Sequence, residues 1–275
     1  MALDIDIENL EVRDFGKENP HVKVLWTGGF DSTYRMIQLS KKEVTIQPFY
    51  LSDKFRRSEH YELEAIKSIT DDIEKHPETK CTILPLIKFS VSDLKEDGDI
   101  VEAFQRLRKI SYIGPQYIWL SEFAKTNKGL ELSIEKDVHD IRYGATYCLL
   151  HNGNIKQVRE GDIDYWILDK EKSSKDLNKI FGEFHFPVIN ITKIGMVEEY
   201  KRLGFTETMN KTWFCHTPVK NEPCGVCNPC KQTIEDGLSF RIPTSGMKRY
   251  ATEMRLGNKK WFKYIKKIRL RINGY

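Results

Sequence analysis

Residues 24–34 run Val-Leu-Trp-Thr-Gly-Gly-Phe-Asp-Ser-Thr-Tyr, an apolar strand that enters a glycine pair and then hydroxyl groups opening a helix. No other stretch limits the fold so strongly, because a strand, a tight turn and a helix start in that order form a phosphate cradle of an α/β protein. Gly28 and Gly29 carry no Cβ, so the backbone can turn sharply and come close to an anion. Asp31, Ser32 and Thr33 fall in the first helical turn, where N–H groups without intrahelical partners and the helix dipole favour negative charge. The lysine of a G-x-x-x-x-G-K-[ST] loop is missing, so that loop's grip on a γ-phosphate is excluded. The competing reading is a capped Gly-Gly turn with no ligand.

A second signal lies near the carboxyl end. Cys215, Cys224, Cys227 and Cys230 follow a C-x8-C-x2-C-x2-C spacing. Short C-x2-C turns bring two sulfurs to one ion, and four thiolates suit a closed tetrahedral zinc site. An iron–sulfur cluster also accepts such a run, although a ferredoxin-type pattern puts its fourth cysteine downstream, before a proline. Disulfides are the third reading, disfavoured if the compartment is reducing. His216 is a substitute ligand to consider, while Cys81 and Cys148 stand alone and read as ordinary buried thiols.

Together the two motifs resemble the 7-cyano-7-deazaguanine synthases, the QueC family of PP-loop ATP pyrophosphatases, over roughly residues 20–235. Thr27-Gly-Gly-Phe-Asp-Ser32 resembles the loop that holds the β,γ-pyrophosphate as a leaving group while the α-phosphate is attacked. Thr212-Trp-Phe-Cys215 and the three later cysteines resemble the family's metal cluster. Between them, the stretch Phe186 to Gly204 resembles a strand, a lysine at a helix start, and a glycine that ends the helix. Two departures stand out. Ile113-Gly-Pro-Gln-Tyr-Ile-Trp119 occupies the place of a P-G-R-N segment, and Glu135 to Tyr147 does not align with the family's substrate stretch rich in Tyr, Pro and Arg.

The resemblance implies an ATP-dependent ligase that adenylates a carboxylate, 7-carboxy-7-deazaguanine in the family, and passes the acyl group to an amine with release of AMP and pyrophosphate. Thr27, Gly28, Gly29, Phe30, Asp31, Ser32 and Thr33 are expected to bind the ATP phosphates, with Asp31 either capping the helix or facing Mg²⁺. Lys193 is the candidate phosphate-neutralising cation, joining Asp31 and Ser32 as the catalytic set; an exposed surface lysine is its bland alternative. Asp137, His139, Asp140 and Arg142 are candidate contacts to the purine-like acid or the acceptor. The expected cofactors are ATP, Mg²⁺ and Zn²⁺. Diverged relatives in bacterial anti-phage operons resemble this case and imply a protein amine as acceptor. An ordinary synthase using ammonia, a tRNA-modifying PP-loop enzyme (thiolase or lysidine-type ligase) and a binding module without catalysis remain alternatives.

Strands alternating with helices predict a Rossmann-like α/β fold, a parallel five-stranded sheet with helices on both faces. Strands are expected over 22–26, 44–51, 81–89 (interrupted by Pro85), 130–135 and 186–191. Helices are expected over 32–40, after Ser58 with Leu63, Ile66, Thr70 and Ile73 near one face, and over 100–110, 116–126, 174–181 and 195–203. The predicted organisation is an extension (1–20), a nucleotide-binding domain (21–212), a four-cysteine segment (213–236) and a basic aromatic tail (237–275). At 275 residues, 40% hydrophobic and 31% charged, usage is ordinary globular. Acidic residues in the first 20 positions argue against a signal peptide, no 18-residue apolar run suggests a membrane span, and the expected compartment is the cytoplasm.

Charge is uneven. Residues 248–275 hold ten Lys or Arg against Glu253 alone, which leaves residues 1–247 at net −5. Trp261, Phe262, Ile265, Ile268 and Ile272 interleave with these cations. The bland reading is a helix packing an apolar stripe under a solvated basic face. The alternatives are an RNA footprint or a docking site for an acidic partner protein; homodimerisation is left open, and a membrane-surface role is disfavoured.

Overall fold

The computed structural model of the protein describes residues 11–13, 21–54, 56–136 and 144–257. The chain divides into two compact units, one of residues 1–55 and 61–213, the other of 56–60 and 214–275.

In the first unit, β1 (Glu11–Arg13) belongs to a small sheet completed by the hairpin β7 (Ile155–Glu160) and β8 (Ile163–Leu168). The main sheet contains β2 (His21–Leu25), β3 (Thr45–Ser52), β4 (Thr82–Ile83), β5 (Ile87–Ser90), β6 (Leu130–Glu131) and β9 (Phe184–His185). Every pairing in it is parallel. Because β4 and β5 both lie along β3, the six strands fill five positions in the order β4/β5–β3–β2–β6–β9.

Side chains alternate along a strand, so neighbouring residues sample opposite faces. Leu25, Phe49, Leu51 and Leu130 join a core with Phe104 and Leu107 of α3 (Gly98–Leu107), Leu120 and Phe123 of α4 (Gln116–Thr126), and Phe181 of α6 (Lys175–Phe181). On the other face the Tyr50 hydroxyl donates to Glu62 of α2 (Glu59–Lys75) at 2.8 Å. Glu131 there accepts two bonds from Arg35 of α1 (Phe30–Ser40), at 2.6 and 2.8 Å. Helices therefore cover both faces, as the near-continuous burial of Pro48 to Leu51 requires.

Several expected elements shift for identifiable reasons. Pro85 splits the third strand: Leu84 still donates to Ile46, Pro85 has no N–H, and pairing resumes at Ile87. The last strand is Phe184–His185 rather than 186–191; Phe186 instead bridges Trp166 in antiparallel fashion, and Pro187 then opens a turn. The ladder of β6 ends at Glu131, and the chain continues with Leu132 donating to His185 and Lys136 to Ile191. In α2 the inward position belongs to Glu62, satisfied by Tyr50, rather than to half-buried Leu63. The β7–β8 hairpin, α5 (Ala145–Asn152) and α8 (Thr206–Asn210) were not anticipated; α7 (Lys193–Arg202) was, starting two residues early.

The second unit contains α9 (Asn228–Glu235) and α10 (Thr244–Leu256). Gly225 has φ +79°, and a Cβ there would sit 2.2 Å from the Gly246 carbonyl oxygen, so two backbones touch where only glycine fits. Arg249, one of the basic residues counted above, donates to the Cys224 and Pro223 carbonyls at 2.8 and 3.3 Å. The basic aromatic run from Lys259 onward lies outside the described residues.

Among the described residues no helix is long and apolar enough to cross a membrane.

Candidate functional site

The order β3–β2–β6 makes β2 and β6 the point where the chain reverses its direction of travel across the sheet. Ligands of open parallel sheets sit in the crevice outside the carboxyl ends of such strands. The loop after β2 is the glycine pair. Gly28 has φ +66°, and a Cβ on it would meet the Glu62 carbonyl oxygen at 2.8 Å, so both conformation and space demand glycine. Its carbonyl accepts the Trp213 N–H at 2.9 Å, and the Trp213 ring stacks on Tyr61 at 4.3 Å. Gly29 is the N-cap of α1 with no side chain capping it, and its carbonyl accepts the Thr33 N–H. The amino end of α1 is thus framed by backbone, with the dipole aimed outward from the loop.

Thr27 and Asp31 are half-buried, while Phe30 and Ser32 are buried. The Ser32 hydroxyl reaches the Gly29 carbonyl only at 3.5 Å. Thr33 is fully buried, and its hydroxyl accepts the Trp26 indole N–H at 3.0 Å, so this side chain shapes the loop from beneath.

Lys193 is the first residue of α7, whose N-cap is Thr192, bonded to the Gly195 N–H. A cation there opposes the helix dipole. Glu135 supplies the compensation, its Oε1 lying 2.7 Å from the Lys193 ammonium. Burial pushes the Glu135 carboxyl up, but Lys193 and a hydrogen bond with Asp31 outweigh it and hold the group below the usual carboxylate range. Asp31 from the first turn of α1, Glu135 from the segment after β6 and Lys193 from the segment after β9 therefore meet. Sequence reasoning did not single out Glu135. The available signal was its place just past the end of a parallel strand at the reversal point. Asp137, His139, Asp140 and Arg142 lie outside the described residues.

The four cysteines converge. Their Sγ atoms all lie within 4.8 Å of one another, with Cys224–Cys230 and Cys215–Cys227 at 3.9 Å. Tetrahedral Zn–S bonds of about 2.3 Å place sulfurs roughly 3.8 Å apart. The set fits a single ion, whereas a multi-iron cluster holds its cysteines further apart. Backbone N–H groups of Cys224, Val226 and Cys227 donate to these sulfurs at 3.2–3.4 Å, as charge-bearing thiolates require. Cys227 also caps α9, which carries Cys230 in its first turn. His216 is exposed and outside the cluster. Burial pushes both Cys81 and Cys148 up to about 11, which suits inert thiols.

A cleft of about 440 Å³ lined by Lys128, Lys156, Asp169, Lys170 and His185 opens at the opposite, amino end of the strands. None of the expected site residues lines it.

No protein-family model and no curated protein matches the chain. Among solved structures, that of NMN synthetase from Francisella tularensis is similar over 86% of this chain and 86% of its own, at 12% identity and a TM-score of 0.36. A likeness that remote carries no argument about this chain's fold or chemistry.

Proposed function

We propose that this chain is a PP-loop ATP pyrophosphatase that adenylates a carboxylate and transfers the acyl group to an amine. One observation carries the reading: a Gly-Gly loop opens α1 at the reversal point of a parallel sheet, with Asp31, Glu135 and Lys193 gathered beside it. The N–H groups of that helix start would hold the β- and γ-phosphates. Asp31 and Glu135 offer the hard oxygen ligands that Mg²⁺ prefers, and the ion would neutralise charge developing on pyrophosphate. Lys193, within reach of the same carboxylates, would add a cation beside the α-phosphate.

The substrate carboxylate attacks the α-phosphorus while the bond to the pyrophosphate oxygen breaks. The amine then attacks the acyl carbon, AMP leaves with the bonding pair, and the amine gives up a proton. By the family resemblance the acid is 7-carboxy-7-deazaguanine. The absent Arg-Asn pair at Gly114-Pro-Gln116 supports an altered acceptor, which we take to be an amine of a partner protein in an anti-phage system. The four cysteines would hold one structural zinc.

The test is product analysis with ATP and the deazaguanine acid. The expected result is acid-dependent ATP–pyrophosphate exchange and formation of AMP; release of ADP and phosphate would overturn the reading. Efficient conversion of the acid to its nitrile with ammonia alone would identify an ordinary synthase.

A further inference from the structure

The segment joining α3 to α4 exposes two large apolar side chains two residues apart. Ile110 is 57% exposed and Tyr112 is 55% exposed, although Ile113 beside them is fully buried. Arg108 and Lys109 flank them, and neither makes an ion pair among the described residues. The Arg108 guanidinium lies over the Tyr112 ring at 5.2 Å and over Phe104 at 5.7 Å, which holds the tyrosine in place. Arg106, by contrast, is committed to Asp176 and Glu102. Among the described residues, two cations without acidic partners therefore precede two exposed apolar side chains.

The position of this surface gives it meaning. Since α4 runs into β6, its start lies at the carboxyl end of the strands, and the α3–α4 segment lies there too. The Tyr112 carbonyl accepts the Gly144 N–H at 2.7 Å, and Ser111 donates to the Gly144 carbonyl at 3.3 Å. Two residues on, the Thr146 hydroxyl donates to the Glu135 carbonyl at 2.9 Å. Two hydrogen-bonded steps thus connect the exposed Tyr112 to the residue that pairs with Lys193 and Asp31.

We propose that Arg108, Lys109, Ile110 and Tyr112 form the docking surface for an acidic, apolar-containing polypeptide segment whose amine is the acyl acceptor. The inference rests on the acyl-transfer reading above. Charge complementarity selects the occupant: two cations with no acidic partner among the described residues attract carboxylates, and Ile110 and Tyr112 gain by burial against apolar side chains. RNA is the poorer fit, because one face of the Tyr112 ring is already covered by Arg108 and an exposed isoleucine offers nothing to a base.

The experiment uses the full chain and fluorescein-labelled peptides, one of alternating Glu and Leu, one with Ser in place of Glu, and a single-stranded RNA of matched length. Anisotropy should rank the acidic peptide first, with affinity falling as salt rises. Arg108→Glu with Lys109→Glu should weaken it roughly tenfold, since two attractive exposed charge pairs become repulsive. Tyr112→Ser should weaken it as well, and the same variants should leave acid-dependent ATP–pyrophosphate exchange unchanged. Absent or charge-independent peptide binding, or preference for RNA, would overturn the docking surface while intact exchange kept the ligase reading. Loss of exchange in the wild type would overturn the ligase reading itself.

Discussion

At the scale of single residues, Gly28 is the least replaceable position of the loop between β2 and α1. Its φ of +66° and the 2.8 Å approach of the Glu62 carbonyl leave an added methyl group both strained and crowded. Gly28→Ala should cost on the order of 1–3 kcal/mol in unfolding and reshape the loop. Denaturant titration would show this, and unchanged stability would mean the loop conformation is not enforced. Asp31→Asn and Glu135→Gln remove a charge while keeping shape. If both hold Mg²⁺, each should cut ATP turnover by on the order of 10²-fold, with partial recovery at higher Mg²⁺. Turnover unchanged in Glu135→Gln would separate this carboxylate from the chemistry.

At the scale of elements, two contacts tie helices to the sheet and to one another. The Arg35–Glu131 pair locks α1 to β6 with both side chains at or below 5% exposure. Arg35→Met should strand the Glu131 carboxylate and cost about 3–5 kcal/mol, whereas pairing it with Glu131→Leu should restore much of the loss. Equilibrium unfolding of the two variants checks this, and equal losses would deny the coupling. His76, just after α2, stacks on Phe205 at 4.2 Å and accepts from Lys41 at 3.2 Å. Burial, and then the charge of Lys41, lower its pKa below the ordinary histidine value. The unfolded chain therefore takes up the proton first. Stability from this site is full above about pH 6.5 and declines as pH falls through the lowered folded value. A flatter pH profile of thermal unfolding in His76→Phe is the expected outcome.

What could be read from the sequence follows the same division. The α1, β2 and β3 stretch was legible because its apolar run, glycine pair and hydroxyls are local signals. Pro85 announced the break between β4 and β5. The β7–β8 hairpin was overlooked although Gly161-Asp162 stands between two six-residue runs, a recognised turn signature. Glu62 and Glu135 were missed for a different reason: their partners, Tyr50, Lys193 and Asp31, come from other elements, and although the place of Glu135 past a strand end was a signal, no local pattern encodes such a meeting.

At the scale of the whole molecule, the second unit is small, and its four sulfurs lie at the spacing of one tetrahedral ion. Binding energy of a structural ion is folding energy. Purified protein should carry about one zinc per chain, and chelation should loosen residues 214–257, as read by hydrogen exchange. Iron with a visible absorption band would overturn the assignment. Cys224→Ser should lower solubility and protection in this unit.

Two of the chain's five tryptophans are hydrogen-bonded to the Gly-Gly loop or the helix turn that follows it. Trp26 gives its indole N–H to Thr33, and Trp213 gives its backbone N–H to Gly28 while its ring rests on Tyr61. The loop therefore carries its own optical label. If the loop binds nucleotide as proposed, titration should change the native emission without a dye, and Trp213→Phe should assign the signal to one ring.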